Sequence, residues 1–225
     1  MSRDAALFAT IRDRLHTAVL GDVMDATGLT QQFLPPELRG LRPDMVLVGR
    51  AMPVLEADCF GDTPGQPGVA EPFGLMFKAL DDLKAGEVYI CTGASPRYAL
   101  WGELMTHRAM AVGAAGAVVD GFHRDTRGVM ATGWPVFSRG SYAQDQRVRG
   151  RVIDFRCPIG FANGVRVAPG DVIVGDVDGV LVIPAAALAD VVDAALTKLG
   201  IEDAVRDRIG AGETTADIFA DTGVM

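Results

Sequence analysis

Between Val88 and Gly121 the chain runs through a strand, a loop, a helix and a second strand, and that order limits the folds open to it. Val88-Tyr89-Ile90-Cys91 is a short apolar run, which predicts a buried strand. The Gly/Ser/Pro segment from Thr92 to Pro96 reads as a loop. A helical pattern opens near Trp101-Gly102-Glu103, with Leu104, Met105, Ala109 and Val112 at helical spacing on one face. Gly113 and Gly116 close it. Ala117-Val118-Val119 is a second apolar run, ending in Asp120-Gly121, with Arg124-Asp125 just after. Strands joined by a crossover helix pair in parallel. Their C-terminal ends then share one edge of the sheet, where α/β proteins bind ligands. The polar residues expected at that edge are Glu103, Arg124 and Asp125.

Twenty residues, Leu104 to His123, separate Glu103 from Arg124. One helix and one strand fit that interval, so the chain leaves the edge and returns to it. Two carboxylates beside a guanidinium suit a hard divalent cation, Mg²⁺ or Mn²⁺, together with an anionic substrate. Arg grips a carboxylate with two parallel hydrogen bonds. The plainer alternative is that Arg124 and Asp125 cap a helix and pair with surface neighbours.

Several stretches carry a resemblance. They are Val19-Leu-Gly-Asp-Val-Met-Asp-Ala-Thr-Gly28, Trp101-Gly-Glu-Leu-Met105, Gly116-Ala-Val-Val-Asp-Gly121, Arg124-Asp125 and Pro135-Val-Phe-Ser-Arg-Gly140. Asn163-Gly-Val-Arg-Val-Ala-Pro-Gly-Asp171 and Asp176-Val-Asp-Gly-Val-Leu-Val-Ile-Pro184 complete the set. The chain resembles the family of class II 4-hydroxy-4-methyl-2-oxoglutarate aldolases and regulators of ribonuclease E activity, long mistaken for demethylmenaquinone methyltransferases. The family's hallmark, an acidic residue, twenty residues, then Arg-Asp, is met by Glu103, Arg124 and Asp125.

The resemblance implies an α/β fold of the β/β/α swivelling type, assembled as a homotrimer or homohexamer. It implies a metal-dependent lyase that cleaves a 4-hydroxy-2-oxo acid to pyruvate and decarboxylates oxaloacetate. Asp125 and Glu103 would hold Mg²⁺ or Mn²⁺, and Arg124 would stabilise the enolate. Gly102 and the backbone N–H groups of Leu104 and Met105 would bind the substrate carboxylate at a helix start. A C-terminal Glu, best matched by Glu202, would approach the metal of a neighbouring subunit. His107 and His123 are candidate proton carriers. Two other functions stay open: a regulator that binds an endoribonuclease, or a metal-dependent lyase or hydratase acting on sugar-derived oxo acids.

An independent argument bears on the carbonyl chemistry. A Schiff-base aldolase needs a buried Lys, and the chain has only Lys78, Lys84 and Lys198, read as lying on helices or in a turn away from the edge. A metal would then have to activate the carbonyl. No strand-linked Gly-rich nucleotide loop is present, which disfavours a methyltransferase.

At 225 residues the chain is expected to form one domain, 1–225, with a helical segment 185–225 reaching a neighbouring subunit. Its many Ala and Gly residues favour tight α/β layers or a subunit interface. A net charge of −8 argues against a nucleic-acid surface. Cys59, Cys91 and Cys157 are far apart and odd in number, as in a reduced cytoplasmic protein. The first residues precede no uninterrupted apolar segment, so neither a signal peptide nor a membrane span is expected.

Elsewhere, helices are expected over Ala5–Leu15 and Thr17–Leu29, the second carrying Asp22 and Asp25 either near the site or, for Asp22, as a helix cap. Phe33–Pro43 reads as a loop and Asp44–Cys59 as β structure. Phe60–Pro72 is either a lid or a plain surface excursion. Phe73–Leu83 reads as a helix. Arg139 would hold an anion, bridge subunits or form a structural ion pair. Arg149–Arg156 reads as a strand, and Cys157–Ile183 as β structure with turns at Asn163-Gly164 and Asp178-Gly179. Ala185–Leu199, Glu202–Gly212 and Thr214–Met225 read as helical.

Overall fold

A computed structural model of the protein describes residues 3–59 and 72–224. The suspected lid, Phe60–Pro72, lies outside the described residues except for Pro72. The chain divides into two compact units, Met1–Thr30 with Ala186–Met225, and Gln31–Ala185. The first unit opens with α1 (Arg3–Arg14) and α2 (Thr17–Ala26). The second unit begins with β1 (Arg39–Gly40), β2 (Leu47–Asp58), α3 (Met76–Asp82), β3 (Glu87–Thr92) and β4 (Ala99–Trp101). It continues through α4 (Glu103–Ala111), β5 (Gly116–Val119), β6 (Phe122–His123), α5 (Thr126–Thr132) and β7 (Val136–Ser138). It closes with β8 (Gly150–Phe155), β9 (Ile159–Gly160), β10 (Arg166–Val167), β11 (Val172–Asp176) and β12 (Gly179–Ile183). The chain then returns to the first unit as α6 (Leu188–Gly210) and α7 (Thr215–Thr222).

The second unit is the expected α/β structure. Its main sheet runs β1-β7-β5-β3-β2-β11-β12, with β8 also on β2. The middle pairs β2–β3, β3–β5 and β5–β7 are parallel; β1, β8, β11 and β12 pair antiparallel. Along β3, Val88 and Ile90 enter one apolar cluster while Tyr89 and Cys91 enter the other. This is the two-residue alternation of a strand covered on both faces. Burying each such side chain is worth roughly 1.5–3 kcal/mol, so an acid at Ile90 would break the layer. The Tyr89 face also receives Met76, Ala79 and Leu80 of α3, Ala109 of α4 and Val129 of α5. Those three helices frame the candidate site.

The structure departs from the sequence reading in four places. The Pro/Gly-rich stretch 33–43 contains the short edge strand β1, paired with β7. Trp101 ends a strand rather than opening a helix. His16, not Asp22, caps α2, accepting from the Val19 N–H at 3.3 Å, and Asp22 pairs with Lys198 at 2.8 Å. The helical segments on either side of Gly200 are one 23-residue helix. A single interior Gly costs a helix only about 1 kcal/mol, and buried Val191, Ala195 and Val205 continue one side of it. Among the described residues no helix is long and apolar enough to cross a membrane.

Candidate functional site

The two halves of the acid–Arg-Asp motif meet through a small ladder that periodicity did not announce. β4 and β6 pair in parallel, Ala99 opposite Phe122 and Trp101 opposite His123. One residue on, the Arg124 N–H donates to the Trp101 carbonyl at 2.9 Å. Trp101 is buried between Tyr89 and Trp134, with ring centroids 5.0 and 5.9 Å away. Its indole N–H donates to Thr106 Oγ1 at 2.8 Å, and that hydroxyl donates to the Gly102 carbonyl at 3.1 Å. The start of α4 is thus anchored from inside the core, beside Arg124.

Asp125 has a left-handed backbone, φ 56° and ψ 34°, an uncommon state for a residue with a side chain. It stands at the N-cap of α5, where Asp ordinarily caps its own helix. Here no such cap bond forms. The carboxylate crosses to α4 instead, and Oδ2 accepts from the Glu103 N–H at 3.3 Å. Gly102 makes this approach possible, because a Cβ there would stand 2.7 Å from Asp125 Oδ2. Gly128 does the same for Glu103, whose carboxylate occupies the space a Cβ on Gly128 would need. Glu103 and Asp125 line one shallow hollow with Thr126 and Gly128.

Arg124 makes two ion pairs, Nη1 to Asp145 Oδ1 at 2.9 Å and Nε to Asp125 Oδ2 at 3.6 Å. A guanidinium has five N–H donors, so these contacts leave capacity for an anion. Gly102, Leu104, Met105, Arg124 and Asp125 all line a cavity of about 370 Å³. The first-turn amides of Leu104 and Met105 belong to the set that a helix leaves without internal partners, and the helix dipole favours negative charge there. Leu104 itself is 84% exposed. Its side chain is not what holds α4 in place.

The donor set fits a hard divalent ion. Mg²⁺ commonly takes one or two protein carboxylates and completes its shell with water and substrate oxygens. Glu103 and Asp125 are two such carboxylates bordering one hollow. Among the described residues there is no cluster of three or more His, Cys, Asp or Glu for a metal, so this chain supplies no complete protein cage there. Glu202 lies in the first unit, 3.6 Å from Lys198.

The two histidines differ. His123 is buried, with Nδ1 2.8 Å from Ser138 Oγ and Nε2 3.0 Å from Thr126 Oγ1. Burial pushes its pKa below the usual value, only partly opposed by its backbone bond with Gly140. Both of its ring nitrogens are engaged by neighbouring hydroxyls. His107 is exposed, with Nε2 3.7 Å from Glu103 Oε1. Arg139 forms the structural ion pair that was one of its expected roles, with Asp120 at 2.8 Å and Glu37 at 3.4 Å. Among the described residues no lysine lines the cavity; Lys84 and Lys198 are paired with Asp82 and Asp22.

Three residues near the site were missed. Asp145, a partner of Arg124, lies in a loop that the sequence reading did not connect to the site. Gln146 also lines the cavity, and its Nε2 donates to Glu56 Oε2 at 2.6 Å. Glu56 is 2% exposed, and its Oε1 has no hydrogen-bond partner among the described residues. Burial pushes its pKa up to about 8, with the Gln146 bond pulling the other way. A signal existed: Met52, Val54 and Glu56 share one side of β2, so the alternation places an acid at a core position.

Fold and site geometry define the class as an α/β protein whose acidic residue and distant Arg-Asp pair meet beside a cavity. The chain belongs to the RraA-like family (Aldolase/RraA), whose pattern it matches over residues 17–182. It is 32% identical over 210 residues to a Halalkalibacterium halodurans protein provisionally named 4-hydroxy-4-methyl-2-oxoglutarate aldolase, a match covering 92% of this chain and 90% of that one. It is 36% identical over 115 residues to protein DlpA of Legionella pneumophila, which amounts to 51% of this chain and only 18% of that longer protein. The crystal structure of Streptomyces coelicolor RraAS2, described as an unusual member of the RNase ES inhibitor RraA protein family, has a TM-score of 0.77 to it. That match covers 92% of this chain and 98% of the other at 22% identity, and it carries the fold alone.

Proposed function

We propose that the protein is a divalent-metal-dependent (class II) aldolase that cleaves a 4-hydroxy-2-oxo acid to pyruvate and also decarboxylates oxaloacetate. The observation that carries this reading is the crossing of Asp125 from its own helix to the first amide of α4, beside Arg124 and Glu103. A merely solvated Arg-Asp pair has no need of a left-handed Asp or of two glycines shaped around two carboxylates.

Asp125 and Glu103 would hold Mg²⁺ or Mn²⁺, with Glu202 of a second copy as a further acid in a trimer or hexamer. When bound, such an ion supplies Lewis acidity toward a keto oxygen. The remaining work falls to the chain. The amides of Leu104 and Met105 bind the substrate carboxylate and fix its orientation. Arg124 donates to the 2-oxo acid oxygens and stabilises negative charge as the enolate develops. Asp145, holding Nη1 at 2.9 Å, keeps the guanidinium turned toward the cavity. As the C3–C4 bond breaks, the C4 hydroxyl proton passes to a base reached through water. His107 is the exposed candidate.

The test is pyruvate release from oxaloacetate with Mg²⁺, measured with and without chelator, in wild type and Arg124→Ala. Metal-dependent turnover lost in the variant supports the reading; turnover indifferent to both sinks it. The family's description joins aldolases with RraA, which favours one second reading, a regulator that binds an endoribonuclease. That reading expects no turnover, and binding that survives Arg124→Ala.

A further inference from the structure

The cavity beside Arg124 is larger and more apolar than a pyruvyl head requires. Its volume of about 370 Å³ falls in the range of pockets that enclose whole small ligands. Away from the carboxylates its walls are Phe73, Met76, Phe77 and Leu80 from in and around α3, with Leu104 and Met105 from α4. Phe73 and Phe77 meet edge to face, ring centroids 5.7 Å apart. Phe77 is 55% exposed and offers an apolar surface to the cavity.

The charges around this cavity point the same way. Arg108 and Arg124 face three carboxylates, Asp81, Asp125 and Asp145. Arg108 pairs with Asp81 at 3.0 Å, and Arg124 pairs with Asp145 at 2.9 Å and Asp125 at 3.6 Å. Arg124 serves the head of the substrate. A second carboxylate at the far end would meet apolar walls and a surplus of acids, where an unpaired charge is costly.

We propose that the site takes a 4-hydroxy-2-oxo acid whose C4 substituent is apolar, an alkyl or aryl group, in place of a second carboxylate. This rests on the aldolase reading of the same site. The cleavage balances: the C3–C4 bond breaks and its electron pair stays with C3 as the pyruvate enolate. The C4 hydroxyl loses its proton and becomes the carbonyl of an apolar aldehyde or ketone. C3 then takes a proton and pyruvate is complete.

Two unreactive probes test the tail. 2-Oxo-4-phenylbutanoate and 2-oxoglutarate share the head, lack the C4 hydroxyl needed for cleavage, and differ at the far end. Calorimetric titration of the full chain with Mg²⁺ present is expected to show roughly tenfold or greater preference for the phenyl compound. Phe77→Lys, which puts a cation on the cavity wall, is expected to shrink or reverse that ratio. Oxaloacetate turnover, which needs no tail, is measured alongside. If oxaloacetate is decarboxylated while 2-oxoglutarate binds as well or better, or while neither probe binds, the apolar-tail inference is overturned and the aldolase reading stands. A phenyl preference that Phe77→Lys leaves unchanged also overturns it, because the tail then lies elsewhere. If oxaloacetate yields no pyruvate, the aldolase reading fails and the inference fails with it.

Discussion

Arg124 and Arg156 are the same side chain among the same kind of partners, but they are held differently. At the corner between α3 and β3, Arg156 makes four hydrogen bonds to two acidic residues. Nε meets the Asp82 carboxylate, Nη2 reaches the Asp82 carbonyl at 2.9 Å, and Nη1 and Nη2 grip both Glu87 oxygens at 2.8 and 2.9 Å. The bonds with Glu87, then those with Asp82, hold the guanidinium more firmly protonated than usual, against the opposing effect of burial. At the site edge, Arg124 makes two ion pairs and borders a cavity. A guanidinium held by four hydrogen bonds is a staple; one with several donors to spare beside a cavity can receive an anion. Both sites also contain a left-handed non-glycine residue, Arg156 itself at φ 56° and Asp125 at φ 56°. Backbone strain alone therefore does not tell a staple from an active edge.

The sharpest way to break that contrast is to remove each guanidinium in turn. Arg124→Ala should lower the rate of oxaloacetate decarboxylation by about 10²–10³-fold, the scale seen when one preorganised donor to a developing oxyanion is removed. Its melting temperature should stay close to wild type, since its ion pairs are half-exposed and worth little to stability. An equal loss of both would make Arg124 a second staple.

Glu56 tests the opposite extreme, an acid buried rather than presented. Its pKa in the fold is raised from 4.5 to about 8. For a group raised in this way, stability is fully present below about pH 4.5 and is lost as pH rises through 8. The loss should be on the order of a few kcal/mol. Glu56→Gln keeps the shape without the charge and should flatten that slope in denaturant titrations at pH 5, 7 and 9. An unchanged slope would mean that another group carries it.

Arg156→Ala should give the complement of Arg124→Ala. Thermal unfolding is expected roughly 5 °C lower, from the lost charged hydrogen bonds, with decarboxylation per folded molecule retained. The smallest effect, about tenfold, is expected from Gly128→Ala, and it sharpens the comparison most. The new methyl occupies the position of the Glu103 carboxylate. That carboxylate ends a half-exposed side chain and can swing aside, while Ala favours the helix. Activity should fall with stability level or improved; a variant as active as wild type would remove Glu103 from the site.

Much of this was legible before any coordinates. The apolar alternation of Val88–Cys91 and Ala117–Val119 is visible along the chain because each side chain's face follows from its own backbone period. The return of Arg124-Asp125 to the neighbourhood of Glu103 follows from the length of one helix and one strand. Local pattern also located α3 and the turns at Asn163-Gly164 and Asp178-Gly179. It misjudged Trp101, whose apolar character suits the buried end of a strand as well as a helix.

What the amino-acid order determined by itself is the series of elements and the acid, twenty-residue, Arg-Asp spacing, because these depend on backbone period and chain length over a few dozen residues. What only the tertiary structure decided is which partner each charge keeps. Asp145 reaches Arg124 across 21 residues and Gln146 reaches Glu56 across 90. The turn of the Asp125 carboxylate away from its own helix belongs here too. Such pairings depend on how the strands order themselves and which faces close on one another, and no short-range period records that.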